Sequence, residues 1–145
     1  MAEQTPQTRA NHAQTVPGFH YFVLGVLAVN IVVTVVALVK APGFFTAWAV
    51  VLAFGLTGLS WYVRSFPLGV QDRVIRLEEQ LRLARLLPEP LKARVPELTT
   101  GQLIALRFAS DAELPAVVDQ TLAGNLPRAE IKKRIKEWRP DYLRI

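Results

Sequence analysis

Two apolar runs separated by four residues constrain this chain more than any other feature. FHYFVLGVLAVNIVVTVVALV, residues 19–39, carries no acidic or basic side chain except His20 at its edge. FFTAWAVVLAFGLTGLSWYV, residues 44–63, carries none. Between Phe19 and Val63 the one formally charged residue is Lys40. A helix needs roughly 20 apolar residues to cross the ~30 Å hydrocarbon core of a bilayer, so each run is long enough to span. Phe19, Tyr21 and Phe22 open the first run. Phe44, Phe45 and Trp48 open the second, and Trp61 and Tyr62 close it. Those are the places for an interfacial aromatic belt. A signal peptide followed by a buried core helix fits less well. A signal h-region is usually ~7–15 residues, and here a second spanning run follows.

The connector KAPG, residues 40–43, has room only for a tight turn. The two helices are therefore expected to form an antiparallel hairpin with both termini on one side. That side holds Arg9, Arg64, Arg73, Arg76 and Arg82, whereas the turn holds Lys40. Cationic residues near span ends favour the cytoplasmic face, so both termini are expected there. Residues 1–18 then form a cytoplasmic tail, 19–63 the hairpin, and 64–145 a cytoplasmic domain. Within the spans, Asn30 and Thr34 share a face, as do Ala49, Ala53, Thr57 and Ser60. Small and hydroxyl residues at this spacing let helices approach closely. Packing within the hairpin or between copies is the favoured reading of these six, ahead of a transport path through Asn30. Intramembrane transport sites usually show ionisable or helix-breaking residues.

Beyond the hairpin the composition changes to densely charged. Residues 70–126 hold seven Lys/Arg and eight Asp/Glu, while 127–145 hold seven against three. After Pro67-Leu68-Gly69, a helix over about 70–87 is expected. Its apolar residues Val70, Val74, Leu77, Leu81 and Ala84 follow a 4-3-4-3 spacing, the heptad seam. Asp72–Arg76 and Glu78–Arg82 are possible i, i+4 pairs. Two heptads are too few to settle what the seam packs on, the rest of the domain or a second copy. Pro88 ends the helix, and PEPLKARVPE is a connector.

Three short helices follow, at about 100–109, 111–123 and 127–138. Thr99 with Gln102, and Ser110 with Glu113, have capping-box spacing. Gly124 is a natural stop for the second. Pro127 suits the start of the third, whose expected buried stripe is Ile131, Ile135 and Trp138. No useful strand alternation occurs, so the fold class is all-α. Arg107, Ser110, Asp111 and Glu113 cluster in ALRFASDAELP, residues 105–115. Caps and a helix joint explain them without a ligand, with Arg107 expected to pair with Asp111 across the joint.

Site chemistry is sparse. The chain has no cysteine, which excludes disulfides, thiolate nucleophiles and Cys-based metal sites. Its two histidines, His12 and His20, are lone and too far apart for a good metal site. No HExxH, GxSxG, phosphate-binding or dinucleotide fingerprint occurs. The sequence reads as non-enzymatic, with no cofactor, metal or catalytic residue. The strongest functional candidate is the basic end. Arg128, Lys132, Lys133, Arg134, Lys136 and Arg139 surround Ile131, Ile135 and Trp138. Near an anionic leaflet each such charge adds roughly 1 kcal/mol of attraction. A solvated face over a core stripe is the plainer explanation, and the two are compatible. A helix-turn-helix role on nucleic acid is disfavoured, because base-reading features are missing and the chain is tethered.

QDRVIRLEEQLRL, QLIALRFASDAEL and IKKRIKEWRPDYLRI, behind a two-span hairpin and an NHA start at 11–13, together resemble an uncharacterised family of small bacterial membrane proteins, domain of unknown function 6526. The resemblance runs over nearly the whole chain from Asn11. It implies a bacterial inner-membrane location and supplies no catalytic residues. The function expected is a membrane-anchored interaction or scaffold module, self-associating, which holds a protein partner near anionic lipid. A transport accessory or channel-like subunit of oligomerised hairpins is the alternative, and an unrecognised membrane-bound enzyme the third.

Overall fold

The computed structural model describes Thr8 and residues 15–141, and among these it is all-helical. The expectations for His12 and the NHA start lie outside the described residues. The described residues divide into two compact units, Thr15–Leu68 and the part from Gly69 onward.

The first unit contains helix α1 (Gly18–Lys40), which opens with π-helical turns over Gly18–Val23. Ala41, Pro42 and Gly43 follow. Thr46 then ties the start of the next helix to this turn, its Oγ1 donating to the carbonyls of Ala41 and Gly43 at 2.9 Å each. That helix, α2, runs Phe44–Leu86 with Pro67 inside it. Both helices are long and apolar enough to cross a membrane. The expected break at Pro67-Leu68-Gly69 is absent. An interior proline removes one backbone bond and costs ~3 kcal/mol, which bends a helix rather than ends it when long helical stretches flank it on both sides.

The second unit holds the rest of α2, a 3-10 turn at Val95–Glu97 and four short α-helices. These are α3 (Glu89–Lys92), α4 (Thr100–Leu106), α5 (Leu114–Gly124) and α6 (Arg128–Arg134). α4 packs on α5 and α6, and α3 on α5. Leu83 of α2 and Leu87 just past its end join Leu103, Leu106, Phe108, Leu114, Val118 and Ile131 in one core. The α4 start is a capping box, with Gln102 N–H donating to Thr99 Oγ1 at 3.2 Å and Thr99 N–H to Gln102 Oε1 at 2.8 Å. Gln102 also donates to Asn125 Oδ1 at 3.1 Å and to the Leu126 carbonyl at 3.2 Å, so this cap locks α4 to the end of α5.

Helix boundaries differ from the expected ones where the chain makes distant contacts. α4 stops at Leu106 rather than 109, and α5 starts at Leu114 rather than 111. The residue that ends α5 in the left-handed conformation is Asn125, at φ 42°. Gly124 just before it sits close to Leu126, and a Cβ there would lie 3.0 Å from Leu126 Cδ2, so that side chain would have to give way slightly. α6 ends at Arg134, four residues short of expectation. Ile135 is already extended, and Trp138 forms an isolated antiparallel bridge with Ala109. Ile131 and Ile135 are buried as expected. Trp138 reaches the core differently, by stacking on Phe108 with centroids 4.9 Å apart.

Candidate functional site

The charged joint of the second unit begins on α2. Ile75, Glu79, Arg82 and Leu83 form its buried side, at i, i+4, i+7 and i+8, continued by Leu87 just past its end, and two of the five are charged. A buried guanidinium needs its N–H groups matched. Arg82 Nε donates to Asp111 Oδ1 at 2.8 Å, Nη2 to the Ala109 carbonyl at 2.7 Å and Nη1 to Glu79 Oε2 at 3.2 Å. Nη1 also lies 3.5 Å from the Arg107 carbonyl. These carbonyls follow the end of α4, where a cation is favourable.

The expected Arg107–Asp111 pair is thereby corrected. Asp111 belongs to Arg82, whereas Arg107 turns inward. The Arg107 guanidinium lies 4.4 Å over the Phe108 ring, and its Nε is 3.2 Å from Asp141 Oδ2. Burial separates the expected partners, since the Arg107 side chain is 5% exposed and that of Asp111 66%. The expected Glu78–Arg82 pair is replaced too, because Glu78 is exposed and Arg82 faces the buried Glu79.

Ser110 and Glu113 exchange bonds. Glu113 N–H donates to Ser110 Oγ at 3.3 Å and Ser110 N–H to Glu113 Oε1 at 3.4 Å. The box spans the turn before α5 rather than its first helical residues. The Glu113 carboxylate also accepts from Lys136 N–H at 3.1 Å and Glu137 N–H at 3.2 Å. With Ser110 N–H on the Glu137 carbonyl and Arg139 N–H on the Phe108 carbonyl, it holds residues 136–139 out of the helix. That capture ends α6 early.

A cavity of about 590 Å³ opens beside this network, with Arg82, Arg85, Arg107, Arg139, Glu79 and Asp141 in its lining. Glu79 sits between Arg82 and Arg139, the latter at 3.8 Å, and Asp141 faces Arg107. Burial pushes the Glu79 carboxyl above its usual range, against the pull of Arg82. The hydrogen bond from Arg82 holds Asp111 below its usual range, although Asp111 is exposed. Among the described residues no group of three or more metal-ligating side chains comes together. Ion pairs join Arg82, Arg107 and Arg139 to Glu79, Asp111 and Asp141, and the arrangement acts as a lock between α2, the α4–α5 joint and the C-terminal segment. Arg82, Glu79 and Asp141 were missed at the sequence level. Two charged residues on a face otherwise apolar, Ile75 to Leu87, were the available signal.

The heptad seam lies on another side of the same helix. Val70 is 63% exposed, Val74 48%, Leu77 61% and Leu81 68%, and Ala84 is exposed too. The seam does not pack on the rest of the domain.

The profile of a family of unknown function, DUF6526, matches residues 1–145. The chain belongs to this family. No curated protein and no solved structure matches. DUF6526 has no assigned activity, so no functional residue is carried over from it.

The remaining candidates in this DUF6526 chain are dispersed. In the basic end, Lys132 lies 5.1 Å over the Phe108 ring, and Lys133 pairs with Glu130 at 3.2 Å. Arg134 bonds Gln120 at 3.1 Å, Arg139 turns to Glu79, and Arg128 packs beside Gly101. Lys136 has an exposed side chain, while its backbone is held by Glu113. The six cations do not form one undivided face. In the first unit Asn30 and Thr34 lie on the less exposed side of α1, with Leu27, Ile31 and Leu38. Ala49, Ala53, Thr57 and Ser60 lie on the less exposed side of α2, and Ala53 is buried. Thr34 and Thr57 donate to carbonyls of their own helices, at Asn30 and Ala53, so their hydroxyls are already in use.

Proposed function

We propose that this chain is a membrane-anchored scaffold that self-associates through the part of α2 that follows its apolar run. The observation that carries this reading is the exposed seam Val70, Val74, Leu77 and Leu81, beginning within a few residues of an apolar run. A contiguous apolar row left in water marks an interaction surface. The same helix already has a filled core face, so the seam is a second, separate apolar surface. The two apolar helices carry large exposed side chains along most of their length, which suits lipid as their solvent. The flanking arginines support a cytoplasmic location for both termini. The exposed Arg128, Lys133 and Lys136 add an electrostatic preference for an anionic leaflet, and the rest of the helical domain is left to hold a protein partner.

Full-length protein extracted in mild detergent and sized by light scattering tests the reading, together with crosslinking in native membranes. A homo-oligomer weakened by Leu77→Glu or Leu81→Glu is expected. A monomer at all accessible concentrations, with no crosslinked product in membranes, would remove self-association from the proposal.

A further inference from the structure

We propose that the seam is covered by a second copy of this chain in a parallel, in-register two-stranded coiled coil over residues 70–84, with Arg73 of each copy paired to Glu78 of the other. The inference rests on the self-association reading and adds its geometry. The 4-3-4-3 spacing puts Val74 and Leu81 at the a positions and Val70, Leu77 and Ala84 at d. The seam's central pair, β-branched Val74 at a followed by Leu77 at d, is the combination that favours two strands. The positions that flank such a seam are Arg73 and Gln80 at g, and Gln71, Glu78 and Arg85 at e.

Charge selects the partner and its direction. In a parallel pair, g of one helix meets the following e of the other. That sets Arg73 against Glu78 twice, by the two-fold symmetry of the pair, and Gln80 against Arg85. An antiparallel pair with the same apolar layers sets Arg73 against Gln80 and Glu78 against Gln71, with no opposite charges. Arg73 and Glu78 are exposed, and neither joins an ion pair among the described residues, whereas Glu79 and Arg82 on the core side are fully engaged. Connectivity agrees. Each seam starts a few residues after an apolar run that ends at Val63, so two copies anchored in one bilayer send their seams away from it in the same direction. Two heptads alone are marginal. Here Ile75, Leu83 and Leu87 already hold the helix in the domain core, and anchoring in one membrane raises the effective concentration of the second strand.

The chain has no cysteine, so single cysteines report directly. Full-length Leu77→Cys, Val74→Cys and the outward control Arg76→Cys are reconstituted in phosphatidylcholine vesicles and mildly oxidised. All three positions are exposed, so folding is preserved. Leu77→Cys is expected to form its disulfide dimer at least tenfold faster than Arg76→Cys. Arg73→Glu or Glu78→Arg added to it should each slow the reaction, and both together should restore it. Failure of the double exchange to restore the rate overturns the charge pairing. A disulfide between Val74→Cys and Leu77→Cys without the Leu77 homodimer overturns the parallel direction. If Leu77→Cys reacts no faster than the control while the protein still sizes as a dimer, the seam arrangement falls and self-association stands. A monomer by size overturns both.

Discussion

Arg82 and Asp111 stand 29 residues apart in sequence, yet Arg82 Nε donates to Asp111 Oδ1 at 2.8 Å. The bond is half-buried, with the guanidinium covered and the carboxylate facing water. The same guanidinium reaches the Ala109 carbonyl and Glu79. One side chain therefore ties α2 to the end of α4, the turn before α5 and a buried acid.

Removing Arg82 leaves Glu79 as a buried charge without its nearest partner and strips the Ala109 carbonyl of a donor. Breaking a buried pair from one side costs ~3–5 kcal/mol, whereas replacing both partners by apolar groups is often neutral. Arg82→Leu should thus destabilise strongly, and Arg82→Leu with Glu79→Leu should recover much of the loss. Thermal melts of full-length protein in mild detergent measure both. A double variant no better than the single one would show that Arg82 acts through Asp111 and the carbonyls alone.

Asp111→Ala should cost less, on the order of 1 kcal/mol, because its side chain is mostly solvated and exposed pairs are worth little. Arg107→Ala should cost more than Asp111→Ala, because it empties packed space above Phe108 as well as removing the partner of Asp141. The reverse order in the same melts would mean that the joint depends on Asp111 rather than on burial of Arg107.

What was legible in the sequence was either compositional or local. The apolar runs announce themselves by length, and the Thr99–Gln102 and Ser110–Glu113 bonds join residues three apart. Illegible features come from distant pairs. Arg107 and Asp111 are the nearer match in sequence, but the fold turns one inward and leaves the other outside, and Arg82 arrives from another helix. Trp138 has helical spacing from Ile131, yet the bonds of residues 136–139 to Glu113 and Phe108 replace the helical ones that α6 would have made. Pro67 suggested a break by a local rule that long flanking helices override. In residues 70–87 two apolar faces compete, and the regular heptad drew attention from the less regular core face of Ile75, Leu83 and Leu87.

Glu113 provides a test confined to one segment. Its carboxylate accepts from the Lys136 and Glu137 amides, neither of which has a helical partner. Glu113→Ala should cost about 0.5–1.5 kcal/mol, the net worth of an ordinary hydrogen bond, because both bonds are exposed and water can replace the carboxylate. Hydrogen exchange is the discriminating measurement. The amides of Lys136 and Glu137 should lose protection while Val117 and Val118 in α5 keep theirs. Uniform loss across α5 would mean that Glu113 supports the whole domain rather than this strap.

Asn125 holds a left-handed conformation at φ 42° and accepts a hydrogen bond from Gln102. A residue with a Cβ and no polar side chain loses about 1–2 kcal/mol in that conformation. Asn125→Ala should therefore lower stability by that amount or slightly more, and Asn125→Gly should recover the conformational part. Equal melts for the two would assign the whole effect to the Gln102 bond.

The two carboxylates on Arg82 give the domain opposite responses to pH. Glu79 titrates above its ordinary 4.5 because burial disfavours its charged form. Its contribution to stability is full below the unfolded value and is lost as pH rises through the folded one. Asp111 titrates below its ordinary 3.8 because Arg82 bonds its charged form. Its contribution is full above the unfolded value and is lost as pH falls through the folded one. Together they favour the folded state most in the narrow range near those two ordinary values and less on either side. Other acids add their own slopes, Glu97 among them, held low by its bond to Arg94, so differences between variants are the cleaner measure. Relative to the unmodified chain, Glu79→Gln should flatten the decline above about pH 4.5, and Asp111→Asn should flatten the decline on the acid side. Melting temperatures from pH 3 to 8, in roughly half-unit steps, resolve both. If Glu79→Gln followed the unmodified chain across the upper range, the Arg82 and Arg139 charges would be offsetting the burial of Glu79 in full.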